Sequence, residues 1–308
     1  MHLRVMDIMP DLTFELGGVE HNELVRAWRE LHHLAQAVVE VGKSWGEYQD
    51  DDSHSALVIP EDGGSFTSPA ADGEAAALLE MAGGAVTLSV GREPPSEMHT
   101  IFATGKTREQ IAARVRALAE HALGKERQNA VPAPDLPDHP VANGAAFDFS
   151  DPGPSMAVDE HYAVTHAMLE RFATALRDRA ADGTHELVPR LWPHHFDLAS
   201  LFVLERDSEG AMTKSIGVGL APPDDLEPAG YWYVGPWSAE EPRAMEKPDL
   251  PLGRWVERGP LAMGVLPISE VWKIADDGAL YEPVVVQAAA IAEFAALAFN
   301  ACVDALGG

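Results

Sequence analysis

Apolar residues recur three and four positions apart in three long segments, which is the spacing of one face of an α-helix. The positions that follow this spacing are Leu24, Trp28, Leu31, Ala35 and Val38; Ile111, Val115, Leu118 and Ala122; and Tyr162, Thr165, Leu169, Phe172 and Leu176. Gly42 and Gly124 follow the first two segments and suit helix ends. The pattern predicts three helices, over 20–42, over 107–124 and around 162–176.

Short runs rich in β-branched and aromatic residues lie between and after these helices and predict strands. In the first part of the chain the runs are 55–60, 85–90 and 98–104, with the segment 65–70 and an alanine-rich helix around 73–82 between them. In the second part they are 198–205, 214–221 and 230–235. Each part therefore has the order helix, strands, helix.

The most apolar stretch, 284–303, approaches the length of a membrane span. It also carries Gln287, Glu293 and Asn300, and much of the rest is alanine. Polar side chains are costly inside a bilayer, so we expect a buried helix over 283–306.

The repeated order predicts an α+β fold of two similar halves, each mainly of antiparallel strands flanked by helices and related by a pseudo-twofold axis. We place the first half at 1–124 and the second at 158–308, and we interpret them as an internal duplication. The proline-rich segment 125–157 between them lacks periodicity and is predicted to be a connector, which either wraps one half or carries a functional loop.

The chain has 308 residues, with 49 acidic against 22 basic ones and a formal net charge of -27. This charge repels nucleic acids and anionic membranes, so we expect neither as a partner. Cys302 is the single cysteine and cannot form an internal disulfide, and the N-terminus lacks the pattern of a signal peptide. We therefore expect a cytoplasmic protein.

The stretch RLWPHHFDLASLFVLE, residues 190–205, places Trp192, His194, His195 and Asp197 at the start of a predicted strand. If the strand extends back to the histidines, His195 and Asp197 share one face. His195 would then transfer protons or donate a hydrogen bond, with Asp197 orienting it. The alternative is that the pair only satisfies the end of a buried strand.

The aromatic run GYWYVGPW places Tyr231 and Tyr233 on one face of a strand, with Trp237 after a Gly-Pro pair. Aromatic residues with polar tips line protein cores and also ligand pockets. We predict that Tyr231, Tyr233 and Trp237 form the wall of a ligand cleft to which Trp192 and His194 also contribute.

No metal site is predicted, because His195 and Asp197 are only two of the three or four ligands that a metal needs. The acidic run Asp50–Asp52 with His54 precedes a strand in a similar way and is either a second part of that site or a solvated turn. Motifs for phosphate, dinucleotide or hydrolase chemistry are missing, so no cofactor is predicted.

The residues Phe196, Asp197, Leu198 and Ala199 after Trp192 resemble a motif of a family of uncharacterised bacterial proteins, classed as a domain of unknown function. The segment AWRELHHLAQAVVEVGK, 27–43, is similar to the opening helix of that family. Pro189 stands near the position of a family histidine. The resemblance implies this order of elements and no activity.

Three functions are compatible with these patterns. The first is a cytoplasmic small-molecule-binding protein or enzyme with an aromatic-lined cleft in the second half. The second is a non-catalytic interaction or structural module, in which the aromatic residues form core or a homodimer interface. The third is a metal-dependent hydrolase.

Overall fold

The computed structural model describes residues 2–49, 53–59, 65–71, 73–91, 95–126, 135–177, 187–240, 244–276 and 282–307. In these ranges it has six α-helices and two antiparallel sheets, of four and six strands. The predicted α+β class, with antiparallel strands flanked by helices in each part, is confirmed.

In chain order the elements are α1 (Val5–Ile8), α2 (His21–Trp45), β1 (Phe66–Thr67), β2 (Ala75–Glu80), β3 (Ala85–Val90), β4 (Glu97–Phe102), α3 (Arg108–Leu123), a 3-10 helix (Pro140–Asn143), α4 (Gly153–Arg177), β5 (Arg190–Trp192), β6 (Asp197–Arg206), β7 (Met212–Ala221), β8 (Tyr231–Ser238), β9 (Arg254–Arg258), β10 (Leu261–Pro267), α5 (Ile268–Asp276) and α6 (Pro283–Leu306).

Contacts divide the chain into two compact units. The N-terminal unit comprises Val19–Asp159 and Arg190–Phe196, and the C-terminal unit comprises Met1–Gly18, Glu160–Pro189 and Asp197–Gly308. The first residues of the chain therefore belong to the C-terminal unit, and the predicted connector belongs to the N-terminal unit.

The N-terminal unit has the strand order β1-β2-β3-β4, with α2 and α3 packed against the sheet. The predicted apolar face of α2 is buried, and α3 begins at a Thr107 cap and ends at Gly124, as the sequence predicted. The helix predicted around 73–82 is wrong. Residues 75–80 alternate between buried and partly buried positions and pair with β3, so sheet packing outweighs the helix preference of alanine.

The described part of the connector packs onto α2. Phe147 and Phe149 are buried. The buried Glu30 carboxylate accepts the Asp148 N–H at 2.6 Å and an Arg26 guanidinium N–H at 3.0 Å. Burial raises the pKa of Glu30, while these hydrogen bonds oppose the rise. A buried carboxylate therefore fixes the connector to the helix.

The C-terminal unit contains the strand order β6-β7-β8-β10-β9, with α4 and α6 on one face. The rings of Phe172, Phe202 and Phe299 lie 5.5–5.6 Å apart, and the Trp232 Nε1–H donates to Thr165 Oγ1 at 2.9 Å. The sequence predicted β6, β7, β8 and α6, but it did not predict β9, β10 or α5.

Side-chain amides of α6 bind the N-terminal segment. Gln287 accepts the Leu16 N–H and donates to the Leu16 carbonyl, both at 2.8 Å. Asn300 does the same for Leu3, at 2.7 and 2.9 Å. Gln287 and Asn300 of this apolar helix therefore hydrogen-bond to the backbone of Leu16 and Leu3.

Helix α6 is the one helix in the described ranges that is long and apolar enough to cross a membrane, and 56% of its most apolar window is buried inside the protein. Such burial is typical of a core helix. Cys302 is also buried there, and burial raises the pKa of its thiol to about 12, so the thiol stays protonated at neutral pH.

Candidate ligand site on the tyrosine face

The candidate site lies on the face of the larger sheet that carries Tyr231, Tyr233, Gly235 and Trp237, which we call the tyrosine face. Side chains alternate along β8, and Trp232 on the opposite face contacts α4. The predicted pairing of Tyr231 and Tyr233 on one face is therefore present, with ring centroids 6.3 Å apart.

Glycines on β7 make room for the Tyr233 ring. Gly219 is the cross-strand partner of Tyr233, and Gly217 is the partner of Gly235. A Cβ atom placed on Gly217 would lie 3.7 Å from the Tyr233 ring. Because these strand positions carry no side chain, the phenol can lie along the sheet and reach a residue of β6.

That residue is Asp197, the first residue of β6. The Tyr233 hydroxyl donates to Asp197 Oδ2 at 2.7 Å. Burial, the Asp197 charge and this hydrogen bond raise the pKa of Tyr233 well above its usual value. The phenol is therefore protonated at neutral pH, and Asp197 orients Tyr233.

The loop between β7 and β8 contacts one end of the tyrosine face. The Tyr231 hydroxyl donates to Asp224 Oδ2 at 2.9 Å, and Arg254 donates to Glu227 at 3.3 Å. Burial, the Asp224 hydrogen bond and the nearby carboxylate charges raise the pKa of Tyr231, and the Arg258 charge opposes them. Both tyrosines are thus fixed hydrogen-bond donors rather than bases.

An open pocket of about 510 Å³ lies at the other end of the face. Its lining residues are Tyr233, Gly235, Pro236, Trp237, Ser238, Arg258, Pro260, Leu261 and Met263. The described lining residues are mostly aromatic and apolar, and the charged group among them is the Arg258 guanidinium. Trp237 is 45% exposed, so its ring is accessible to a ligand.

Arg258 is the site residue that the sequence did not reveal. It lies at the end of β9, pairs with Leu261 across the β9–β10 turn and is exposed. No ion pair of Arg258 occurs within the ranges that the structure describes. The turn at Gly259-Pro260 was the available signal, because it would have indicated a hairpin next to the aromatic strand.

The histidines predicted for the same site lie on a turn in the N-terminal unit. The Phe196 N–H donates to the Trp192 carbonyl at 2.6 Å, and Phe196 has a left-handed φ of 59°. The strand therefore begins at Asp197, and the predicted extension back to His194 and His195 is wrong. Strand alternation does not place His195 and Asp197 on one face.

His194 and His195 are exposed on this turn, with ring centroids 4.5 Å apart, and the Trp192 ring lies 6.3 Å from His194. None of the three lines the pocket on the tyrosine face. The proton-transfer role of His195 and the ligand contacts of Trp192 and His194 stay predictions.

The turn is held by a buried histidine of α2. The His32 Nε2–H donates to the Pro193 carbonyl at 2.9 Å, and the His32 ring stacks on Phe196 with centroids 4.9 Å apart. Burial, together with the positive charges that His33, His194 and His195 can carry, lowers the pKa of His32 to about 4, although the hydrogen bond to Pro193 opposes the shift. His32 is therefore neutral near pH 7.

No group of three or more His, Cys, Asp or Glu side chains suited to a metal ion occurs in the part of the chain that the structure describes. Asp50–Asp52 lie outside that part. The described His54 accepts the Gln49 N–H at 3.3 Å through Nδ1, and its ring lies 5.0 Å from Tyr48.

Comparisons with protein-family models, with curated proteins and with solved structures found no match. The resemblance of Phe196–Ala199 to the uncharacterised bacterial family stays a prediction.

Proposed function

We propose that the protein binds a small organic molecule with one anionic group and a flat apolar body in the pocket on the tyrosine face. The observation that carries this proposal is that Tyr233 and Trp237, both predicted to form a ligand wall, line one open pocket together with Arg258.

The chemistry of the lining selects this class of ligand. A guanidinium binds carboxylates and phosphates through paired hydrogen bonds. The rings of Tyr233 and Trp237, with Met263 and Leu261, supply apolar contact for the rest of the molecule. The pocket volume falls within the range of about 300–1000 Å³ that is usual for small-molecule sites.

The net charge of -27 limits how many negative charges the ligand can carry. A ligand with several negative charges is repelled by the acidic chain, and Arg258 is the one cation among the described lining residues. A monocarboxylate therefore fits better than a polyphosphate. The lining residues that the structure describes include no carboxylate, imidazole or thiol for acid–base or nucleophilic chemistry, so we propose binding rather than catalysis at this pocket.

Asp197 acts as a positioning residue in this proposal. Its hydrogen bond to Tyr233 holds the ring beside Gly217, where the ring lines the pocket. We place this binding protein in the cytoplasm, in accord with its acidity and its single buried cysteine.

The Arg258→Gln variant should bind aromatic carboxylates about tenfold more weakly, because a charge-assisted hydrogen-bond pair of roughly 1.5–3 kcal/mol is lost. Isothermal titration with benzoate, 4-hydroxybenzoate and indole-3-acetate measures the change. The neutral amide of each carboxylate is the matched ligand, and its affinity should be the same for the wild type and the variant.

The Arg206→Gln variant is the control, because Arg206 is an exposed arginine on β6 that does not line the pocket. Equal affinity of wild type and Arg258→Gln for the carboxylates would contradict the proposal. A dimer in solution that the Trp237→Ala variant converts to monomers would instead support the interaction module.

A further inference from the structure

The smaller sheet has an open edge. In the order β1-β2-β3-β4, strand β4 pairs with β3 on one side. On the other side, residues 146–147 form bridges with Thr104 and Thr107, just past the strand. Along Glu97–Phe102 itself, no described residue pairs with the outer edge of β4.

The register shows which backbone groups face this edge. The Ala103 N–H donates to the Gly84 carbonyl at 2.9 Å, and Phe102 is the cross-strand partner of Ala85. Bonded and non-bonded pairs alternate in an antiparallel ladder, so the N–H and C=O groups of Met98, Thr100 and Phe102 point away from β3. The Lys106 ammonium donates to the Phe102 carbonyl at 2.7 Å, which agrees with a Phe102 carbonyl that points away from β3.

A groove runs along the edge between β4 and the first turns of α3. It has a volume of about 660 Å³ and is lined by Thr100, Ile101, Phe102, Thr104, Gly105, Lys106, Gln110 and Arg114. Two apolar side chains of the edge strand are unusually exposed, Met98 at 60% and Phe102 at 65%.

The charge of the groove is opposite to that of the chain. Among the lining residues that the structure describes, Lys106 and Arg114 are the charged ones and none is acidic, although the chain has a formal net charge of -27. Arg114 is exposed and has no ion pair in the ranges that the structure describes. The groove therefore has unused backbone hydrogen-bonding groups, apolar surface and positive charge.

We propose that this groove binds an extended acidic segment of a partner protein, which adds to β4 as a fifth strand. The partner backbone would hydrogen-bond to Thr100 and Met98, its apolar side chains would pack on Phe102 and Met98, and its carboxylates would bind Lys106 and Arg114. This is a second binding function, and it does not depend on the pocket of the C-terminal unit.

Charge favours a short acidic strand over the other occupants. A nucleic acid carries a charge on every phosphate and is repelled by the acidic chain along its length. A second copy of the chain would place Lys106 and Arg114 of both copies at one edge, and like charges there oppose pairing. A short strand of a partner protein with two or three carboxylates has negative charges that can pair with Lys106 and Arg114.

The test uses fluorescein-labelled eight-residue peptides in which valine alternates with glutamate, glutamine or lysine, measured by fluorescence anisotropy with the full chain. The glutamate peptide should bind about tenfold more tightly than the glutamine peptide, and the lysine peptide should not bind. Methylating alternate backbone nitrogens of the glutamate peptide should abolish its binding, because strand addition needs its N–H groups.

The Thr100→Pro variant should weaken binding of the glutamate peptide about tenfold, because proline removes an outward N–H and places its ring in the path of the added strand. Folding should be retained, since the Thr100 N–H is not part of the β3–β4 ladder, and circular dichroism checks this. Thr100→Val is the matched comparison, because it also replaces the threonine side chain but keeps the N–H, and it should bind the glutamate peptide about tenfold more tightly than Thr100→Pro does. The Lys106→Glu/Arg114→Glu double variant should prefer the lysine peptide.

Three results would overturn the proposal. The first is that no glutamate peptide binds, and the second is that a folded Thr100→Pro variant or the N-methylated peptide binds as well as its control. The third is that a single-stranded oligodeoxythymidine displaces the glutamate peptide, since the groove would then be a nucleic-acid site.

Discussion

Lowering the pH from 7 to 4 should reduce the stability of the N-terminal unit by about 3 kcal/mol through His32 alone. The pKa of His32 falls from its ordinary value of 6.5 to about 4 in the folded protein because the ring is buried. A shift of that size corresponds to roughly 1.4 kcal/mol for each pKa unit.

The sign follows from which state binds more protons. Between pH 6.5 and 4 an unfolded chain protonates His32 and the folded protein does not, so acid favours unfolding. The contribution of the neutral His32 ring to the stability of the folded protein is complete above pH 6.5 and is lost as the pH falls toward 4. Burial also lowers the pKa of His33, and that of His139 to about 4, which adds to the same trend. The raised pKa of Glu30 acts in the opposite direction.

Two measurements check this. The NMR titration of the His32 ring should give a midpoint near pH 4, and amide exchange in α2 should accelerate as the pH falls through 6, after correction for intrinsic rates. The His32→Gln variant keeps a donor for Pro193 but does not titrate, so its stability should depend less on pH. His21→Gln, an exposed position on the same helix, is the control. An His32 midpoint near 6.5 would contradict the prediction.

Replacing Gln287 with leucine should destabilise the C-terminal unit by about 2–5 kcal/mol, although leucine is the more apolar residue. The substitution leaves the buried N–H and C=O of Leu16 without their partner, and each such group costs roughly 1–3 kcal/mol. The loss of packing between residues 3–16 and α6 adds to this cost.

Urea unfolding gives the size of the effect, and amide exchange at Leu16 reports whether the N-terminal segment has detached. Glu293→Leu is the matched control, because Glu293 is exposed on the same helix and its replacement should change stability by less than about 0.5 kcal/mol. A Gln287→Leu variant as stable as wild type, with the Leu16 amide still protected, would show that the amide pair is not needed.

The sequence predicted the elements whose signals are local. The apolar face of α2, the capping box of α3 and the boundaries of α6 depend on residues within a few turns, and all of them are present. The predicted end of α2 at Gly42 is wrong, because the helix continues to Trp45 and its C-cap is Gly46. Strand β2 was mistaken for a helix because its alanines favour a helix locally, while its pairing with β3 is a tertiary contact. The left-handed φ of Phe196 makes β6 begin at Asp197 and not at His194, and this conformation is rare outside glycine.

The sequence predicted the types of residue in the candidate site, but it did not predict which residues they contact. Alternation along β8 correctly predicted that Tyr231 and Tyr233 share a face. The Tyr233 hydroxyl, 36 residues away along the chain, donates to Asp197, and the spacing of the residues did not suggest this contact. Arg258 reaches the pocket through the β9–β10 pairing, which the amino-acid pattern alone did not predict.

A crystal structure of the protein with the tightest-binding aromatic carboxylate tests the central claim most directly. The account predicts that the aromatic body lies over Tyr233 and beside Trp237, with the carboxylate about 3 Å from the Arg258 guanidinium. A carboxylate bound elsewhere on the chain, with this pocket filled only by water, would contradict it.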